Sequence, residues 1–368
     1  MSRIRIGFVL PSNTSRPLPS TRIAVLNMMP FLAAAGFDPQ VVYEPATETE
    51  RPHGSELRDL SRRIQAGGFR IVFFQKVHGP EIRTTVRELA SLGIATIFGV
   101  CDVVEPAMVE ACDSTIAVTH YLRGLYPASL RSKIHVVHDG IENARAQKVD
   151  WSGDPQGPLR AVLVTSSRLS RIPVLGAPPD WMRACIVGDY PHPSQYLTRL
   201  REMGWTIQGQ SVRERLEYLG FLMNPRIRRV PWDPHGVYER MSQADVGIIP
   251  VEATPGDPDR ATVPSWKVKS ENRLTMKMSM ALPVIASPIP AYESVIRHRV
   301  NGFFARSLRD WHKWLSELRD PDLRREIGLR ARQCVIERYS KEEQARRLIA
   351  VIAPLIGQPV VAAGVPAR

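Results

Sequence analysis

The sequence lacks any apolar run long enough to cross a lipid bilayer as a helix. Its four cysteines, Cys101, Cys112, Cys185 and Cys334, are scattered, with no Cys-x-x-Cys pair and no histidine at zinc-site spacing. The apolar run near the N-terminus stops at Pro11, and no small-residue cleavage site of an export signal follows it. These absences predict a cytoplasmic protein with reduced thiols.

The chain also lacks the glycine patterns of Walker-type and dinucleotide-binding loops, so ATP hydrolysis and NAD chemistry have no support. No repeat of solenoid period is present. An Asp-x-Asp pattern at Asp257 and Asp259 lies in a stretch rich in Pro and Gly. Because two carboxylates at this spacing are weak evidence for a bound cation, the pattern does not predict a metal site.

The 368 residues are enough for two domains, and their composition, 43% apolar and 23% charged, is that of an average soluble protein. Residues 1–150 hold 17 basic and 15 acidic side chains, and the remainder holds 32 and 22, so most of the net charge of +12 lies in the second part. Such a domain suits a polyanion: a nucleotide diphosphate, a phospholipid surface or nucleic acid. Basic residues in 297–347 alternate with acidic ones rather than with stacking aromatics, which argues against nucleic acid.

Apolar β-type runs alternate with helical patterns in two successive series. A polar stretch rich in Gly and Pro, between about residues 142 and 158, separates the series. This alternation predicts an α/β protein with two Rossmann-like, doubly wound parallel-sheet domains facing a cleft, and with C-terminal helices. We expect domains at 1–150 and 151–356, the second including the terminal helices, and a disordered tail at 357–368.

Residues 269–273, Lys-Ser-Glu-Asn-Arg, combine basic and hydroxyl groups immediately before a run of helix formers. A β-type run led by Pro283 follows, after which comes an Asn-Gly turn at 301–302. The pattern predicts a helix that presents cations at the mouth of a buried parallel strand, which is a way to hold a diphosphate.

Together with the apolar run 246–250 upstream, these segments resemble the C-terminal donor domain of GT-B glycosyltransferases, in particular family 4, the group 1 transferases. The resemblance covers most of the second half and is strongest from 230 to 339. A subset of that family carries Lys-Ser-x-Asn-Lys at this place. The matching residues here are Lys269, Ser270, Asn272 and Arg273. The resemblance implies that they bind the donor diphosphate, and the fork of Arg273 preserves this ability.

The sequence departs from the family at a Glu-x7-Glu pair, whose second carboxylate typically holds the donor ribose. Val268 and Met276 occupy the two positions. Either another group binds the ribose, or the chain is a divergent or inactive member. Glu293 matches a family Glu that faces the sugar, and the alternative is that it caps the helix that follows.

Two further residues are assigned to the donor by the resemblance. Arg168 follows the first strand of the second domain, where the family places a cation against the diphosphate; a surface position is the alternative. Trp232 lies in a segment that resembles the one bracketing the nucleotide base, although a Trp is more often part of a core.

The first domain is expected to bind the acceptor. Asp102 follows a strand at the cleft edge, where a carboxylate could orient a hydroxyl or stabilise positive charge on the sugar; a helix cap is the alternative. Cys101 takes the place of a histidine found in related proteins. Lys76 and His78 end another strand, and His78 acts as a base or satisfies a loop carbonyl. Arg22, at the start of the first helix, completes the acceptor side.

We therefore predict a glycosyltransferase that moves a sugar from a nucleotide diphosphate sugar to the hydroxyl of an unknown acceptor. The resemblance implies retention of the anomeric configuration and no essential metal ion or other cofactor. Peripheral association with the inner face of a membrane is left open, since many relatives act on lipid-linked acceptors. The alternatives are a non-catalytic relative that binds nucleotide sugar or protein, and, third, a nucleotide-sugar epimerase.

Overall fold

A computed structural model describes residues 3–152, 157–165, 173–176, 178–190, 204, 211–251 and 263–357. The chain forms two compact units. The first unit comprises Met1–Glu142, Val268–Ser270 and Arg338–Arg368, and the second comprises Asn143–Lys267 and Glu271–Glu337. The tail expected at 357–368 lies outside the described residues except for Gly357.

Within its described residues, the first unit contains one sheet of six parallel strands in the order β2-β1-β3-β4-β5-β6. The strands are β1 Ile4–Val9, β2 Phe37–Tyr43, β3 Phe69–Gln75, β4 Ala95–Val100, β5 Ser114–Ala117 and β6 Ile134–Val136. The parallel, doubly wound arrangement predicted from the sequence is confirmed.

The described helices of this unit lie between its strands, except for the last, which follows the second unit in the chain. They are Pro19–Thr21, a π-helix Arg22–Leu26, Met29–Ala34, Leu60–Ala66, Pro80–Ser91, Pro106–Ala111, His120–Gly124, a 3-10 helix Ala128–Lys133, and Lys341–Leu355. Pro30, a candidate kink in the sequence, lies in the first turn of Met29–Ala34, where the missing N–H costs nothing.

The C-terminal helix Lys341–Leu355 packs on the first sheet, although the sequence analysis placed the terminal helices in the second domain. Leu348 and Ile352 are buried in one core cluster with Ile6 and Phe8 of β1. An apolar stripe on a helix predicts that it will be covered but does not name the sheet that covers it.

The second unit repeats the architecture. Its described strands pair in parallel in the order β12-β11-β10-β7-β8-β9. They are β7 Leu159–Val164, β8 Met182–Gly188, β9 Ile227–Pro231, β10 Val246–Ile249, β11 Val284–Ala286 and β12 Phe303–Phe304. The described helices are Pro173–Gly176, Val212–Met223, Gly236–Gln243, Asn272–Ser279, Pro290–Glu293, Leu308–Glu317 and Pro321–Val335. No helix in the described part of the chain is both long and apolar enough to cross a membrane.

The docking of the C-terminal helix is testable with Ile352→Ala. Ile352 is fully buried, so its truncation should lower the free energy of unfolding by about 2–5 kcal/mol through lost burial and a cavity. Arg346→Ala, which removes an exposed ion pair on the same helix, should cost about 1 kcal/mol or less. Urea unfolding measures both, and equal effects would show that the helix is not part of the core.

Candidate functional site

Lys76 lies directly after β3 at the carboxyl edge of the first sheet. Its backbone has φ +58°, a left-handed conformation that is uncommon for a residue with a side chain. Its ammonium is buried and lies 2.8 Å from Oδ1 of Asp102, and it forms a second ion pair with Glu50. Strained backbone and a buried, fully paired charge mark this position as a candidate functional site.

Opposing effects set the charges of this group. Burial by itself disfavours the charge on Lys76, but the charge of Asp102 and the hydrogen bonds to Asp102 and Glu50 outweigh it and raise the pKa of the ammonium. Burial raises the pKa of the Cys101 thiol well above its usual value, so the two carboxylates stabilise Lys76 at neutral pH. Burial likewise acts against the charge of Asp102, yet Lys76 lowers the pKa of that carboxyl. Asp102 is therefore an ionised carboxylate and a weak base.

His78 is buried, and both of its ring nitrogens are engaged. Nδ1 lies 2.8 Å from the carbonyl oxygen of Lys76, and Nε of Arg51 donates to Nε2 at 3.0 Å. Glu105 is 3.3 Å from the same Nε2. Because Arg51 always carries its protons, its Nε–H makes Nε2 the acceptor, and Nδ1 is then the donor to the carbonyl oxygen of Lys76. The arrangement matches the alternative in which His78 satisfies a loop carbonyl.

Arg22 is bound on the acceptor side as well. Its Nε and Nη2 donate to the two carboxylate oxygens of Glu142 at 2.7 and 3.0 Å. Asn27 donates to the same carboxylate at 3.1 Å. The fork of the guanidinium thus holds Glu142 next to the π-helix in which Arg22 lies.

The segment Val268–Ser270 belongs to the first unit. The hydroxyl of Ser270 donates to Oδ2 of the buried Asp139 at 2.6 Å, and the charge of Lys269 contributes to the lowered pKa of Asp102. The predicted diphosphate motif is therefore divided, since Asn272 and Arg273 belong to the second unit.

A cavity of about 30 Å³ lies at the carboxyl ends of β3 to β6. Its polar lining is Gln75, His138 and Asp139, and the remaining walls are apolar. The volume suffices for one or two water molecules but not for a sugar.

In the second unit, Asn272 and Arg273 open the helix Asn272–Ser279. Burial raises the pKa of the nearby Tyr292 to about 12, and the charge of Arg273 opposes that rise. Four residues on, Lys277 is fully buried. Burial and then Arg273 lower its pKa to about 7. Lys277 was not among the predicted residues, and its one signal in the sequence is that it is the only charged residue between Leu274 and Leu282.

The other predicted donor-side residues are not part of the helix Asn272–Ser279. Glu293 is exposed and ends the helix Pro290–Glu293, and its carboxylate makes no hydrogen bond to a described residue, so it does not act as a cap. Trp232 is 38% exposed and follows β9. Arg168, Asp257 and Asp259 lie outside the described residues.

A family model described as "Glycosyl transferase family 4 group" matches residues 73–146. This match begins within β3 and includes Lys76, His78 and Asp102, rather than the donor segment that carries the resemblance in the sequence. No curated protein sequence matches the chain.

Solved glycosyltransferase structures match almost the whole chain. One is a glycosyltransferase from Rickettsia africae, with a TM-score of 0.69, 13% identity, and coverage of 98% of this chain and 100% of that one. Another is Anabaena Alr3699/HepE in complex with UDP and glucose, with a TM-score of 0.66, 10% identity, and coverage of 95% of this chain and 100% of that one. A third is sucrose-phosphate synthase from Thermosynechococcus elongatus, with a TM-score of 0.67, 15% identity, and coverage of 96% of this chain and 99% of that one.

The fold is that of the GT-B glycosyltransferases, as the resemblance implied. The match to the family 4 group covers the ends of β3 and β4, where Lys76 and Asp102 lie.

Lys76→Met tests the charge cluster. Loss of the ammonium leaves Asp102 and Glu50 without their cation, and the free energy of unfolding should fall by about 1–3 kcal/mol at pH 7. Because Lys76 depresses the folded-state pKa of Asp102, its contribution is complete above the unfolded pKa of about 3.9 and is lost as pH falls through the folded value.

Urea unfolding between pH 7 and pH 3 should therefore show the deficit of Lys76→Met shrinking in acid. Arg62→Met, which breaks the exposed Arg62–Asp59 pair, is the control and should change stability by about 0.5 kcal/mol or less. A deficit that does not depend on pH would mean that Lys76 contributes packing and not charge.

Proposed function

We propose that the chain is a glycosyltransferase that moves a sugar from a nucleotide diphosphate sugar to an acceptor hydroxyl, with retention of anomeric configuration. The observation that carries the proposal is the helix Asn272–Ser279, which opens with Arg273 in a chain that matches GT-B structures over nearly its whole length. A helix N-terminus with a guanidinium in its first turn suits a diphosphate. HepE was solved with UDP and glucose, so UDP-linked sugars are the first donors to test.

The donor would be bound by Arg168, Trp232, Lys269, Ser270, Asn272 and Arg273. Ser270 takes a narrower part in this proposal, because its proton is already donated to Asp139. Because its proton is already donated, the Ser270 hydroxyl can only accept further hydrogen bonds. It would therefore position Lys269 rather than bind the phosphate oxygens, which are acceptors. Stabilisation of the leaving diphosphate falls to Arg273, Lys269 and Arg168. As the resemblance implies, no metal ion or other cofactor takes part, so EDTA should leave the rate unchanged.

Asp102 and Glu293 are the proposed catalytic residues. Asp102 is ionised and held by Lys76, which supports a role in orienting the acceptor hydroxyl or in stabilising positive charge on the sugar. Glu293 offers an exposed carboxylate to sugar hydroxyls. Lys76, His78 and Arg22 would serve the acceptor side by positioning, since each already binds a neighbouring side chain or carbonyl.

Arg273→Ala and Lys269→Ala should each weaken the affinity for the donor by about 1–3 kcal/mol, because each removes a charge-assisted contact to the diphosphate. Calorimetry of the wild type with a panel of UDP-, GDP-, ADP- and dTDP-linked sugars identifies the nucleotide sugar that binds. The same measurement on the variants then gives the change in its affinity. Arg330→Ala, at an exposed arginine paired with Glu326, is the control and should leave the affinity unchanged. Wild-type affinity in both test variants would remove these residues from the site.

Asp102→Asn and Glu293→Gln should lower kcat by about 10²–10⁴ while the donor Kd stays at the wild-type value, because their charges act in the transition state. Glu317→Gln, at a partly exposed carboxylate paired with Arg299, serves as the matched control. If instead the donor Kd rises and kcat is unaltered, the two carboxylates bind ground-state substrate only.

One observation favours the non-catalytic alternative. The two positions where many family members carry glutamates hold Val268 and Met276, both buried apolar side chains. In that case the panel would show a nucleotide sugar bound with neither transfer nor hydrolysis.

We place the reaction in the cytoplasm, with peripheral binding to a membrane as a further alternative. The net charge of +12 supports it through attraction to anionic lipid. Sedimentation with anionic liposomes would reveal such binding as co-sedimentation that disappears at high salt.

A further inference from the structure

Lys277 is an ionisable residue buried in the second unit. Its side chain is fully buried, and its Nζ donates to the carbonyl oxygen of Arg273 at 3.0 Å, one turn earlier in the helix Asn272–Ser279. Gly247 of β10 makes the space, since a Cβ there would lie 2.7 Å from Cδ of Lys277. The amine is therefore packed beneath the first turn of the helix.

No acidic side chain of the described residues forms an ion pair with Lys277. The neighbouring strands β10 and β11 present only glycine and apolar side chains to this region. Titratable and charged side chains around this helix include Glu271 and Arg273 at its start, Tyr292, whose pKa responds to both of them, and Arg332, which donates to the carbonyl oxygen of Ser279. Arg273 alone contributes a charge effect, which adds to burial in bringing the pKa of Lys277 to about 7.

A buried amine beside a guanidinium is charged only at a cost, because it lacks water and meets a like charge. An anion bound at the first turn would offset the positive charge of Arg273 and would favour protonation of Lys277. The required proton is available from solvent and buffer, and no other group has to change its charge.

We propose that Lys277 is a charge reserve for the donor site: it takes up a proton when the diphosphate of a nucleotide sugar binds at the first turn of Asn272–Ser279. The inference rests on the proposed function. Lys277 is a positioning residue, because it acts through the backbone of Arg273 and through its charge without touching the donor. It also makes donor affinity depend on pH in a range where phosphodiester oxygens and guanidinium groups do not titrate.

The first experiment uses wild-type protein and UDP-glucose, or the nucleotide sugar chosen by the panel. Its diphosphate is a diester and does not titrate near neutrality, so proton uptake reports on the protein. Calorimetry at pH 8 in buffers of different ionisation enthalpy should show uptake of up to about one proton per donor bound. Between pH 7 and 9 the Kd should rise by up to about tenfold per pH unit.

The second experiment repeats the series with Lys277→Met, which fits the same space without the amine. Proton uptake and the pH dependence of Kd should both disappear. Lys313→Met, at an exposed lysine of the second unit, is the matched control and should behave as wild type. Urea unfolding without ligand adds a separate readout. Wild-type stability should rise relative to Lys277→Met from about pH 7 to pH 10, because there the unfolded chain binds the proton that the folded one lacks.

Each outcome discriminates. Binding by wild type without proton uptake overturns the charge reserve and leaves the proposed function intact. The same holds if Lys277→Met keeps the wild-type pH dependence. If wild type binds no nucleotide sugar of the panel, the proposed function fails and the charge reserve fails with it. Should Lys277→Met not fold, the buffer series on wild type decides the question without it.

Discussion

Parallel pairing of the strands is the constraint on which the polar arrangement of this protein depends. In a parallel sheet every strand ends at the same edge, so residues far apart in the sequence become neighbours. Lys76, Asp102 and Asp139 follow β3, β4 and β6, and share this edge for that reason. Burial of the ammonium of Lys76 is tolerated because two carboxylates meet it there, which offsets the desolvation of the charge.

The two units handle buried positive charge in opposite ways. Lys76 is matched by acidic groups and stays ionised across the neutral range. Lys277 has no acidic partner among the described residues, and burial lowers its pKa to about 7. The contrast follows from their surroundings, since Lys76 lies at a polar sheet edge and Lys277 is packed against Gly247 of the apolar strand β10. The pairing of Lys76 with two carboxylates suits a charge that stays fixed. The buried amine of Lys277 suits a group whose protonation responds to a bound anion.

Much of the fold was predictable from the sequence, because buried parallel strands are short apolar runs and helices alternate with them. The run Ala95–Val100 and its following polar pair are a clear case. The position of Lys341–Leu355 was not predictable, since its stripe of buried residues would fit either sheet equally well. The same limit applies to Val268–Ser270, whose assignment to the first unit depends on contacts such as Ser270 with Asp139.

Prediction of the candidate site divides along similar lines. Strand ends located Lys76 and Asp102, but the ion pair between them and the contribution of Glu50 depend on loop geometry that periodicity does not encode. The position of His78 after a strand was predictable, but the hydrogen bonds at both of its ring nitrogens are visible only in the structure. Lys277 was missed because a lysine is normally assigned to a solvent-facing position, and only the packing against Gly247 shows where it lies.

The path of the chain limits how the two units can be expressed separately. It passes from one unit to the other after Glu142, Lys267, Ser270 and Glu337, so neither half is encoded by one uninterrupted stretch. A gene fragment that stops at Glu142 would leave bare the apolar face of the first sheet and would be prone to precipitate. A hybrid made with half of another GT-B protein would therefore have to keep the terminal helix together with the N-terminal sheet, because otherwise the apolar face of that sheet would be exposed.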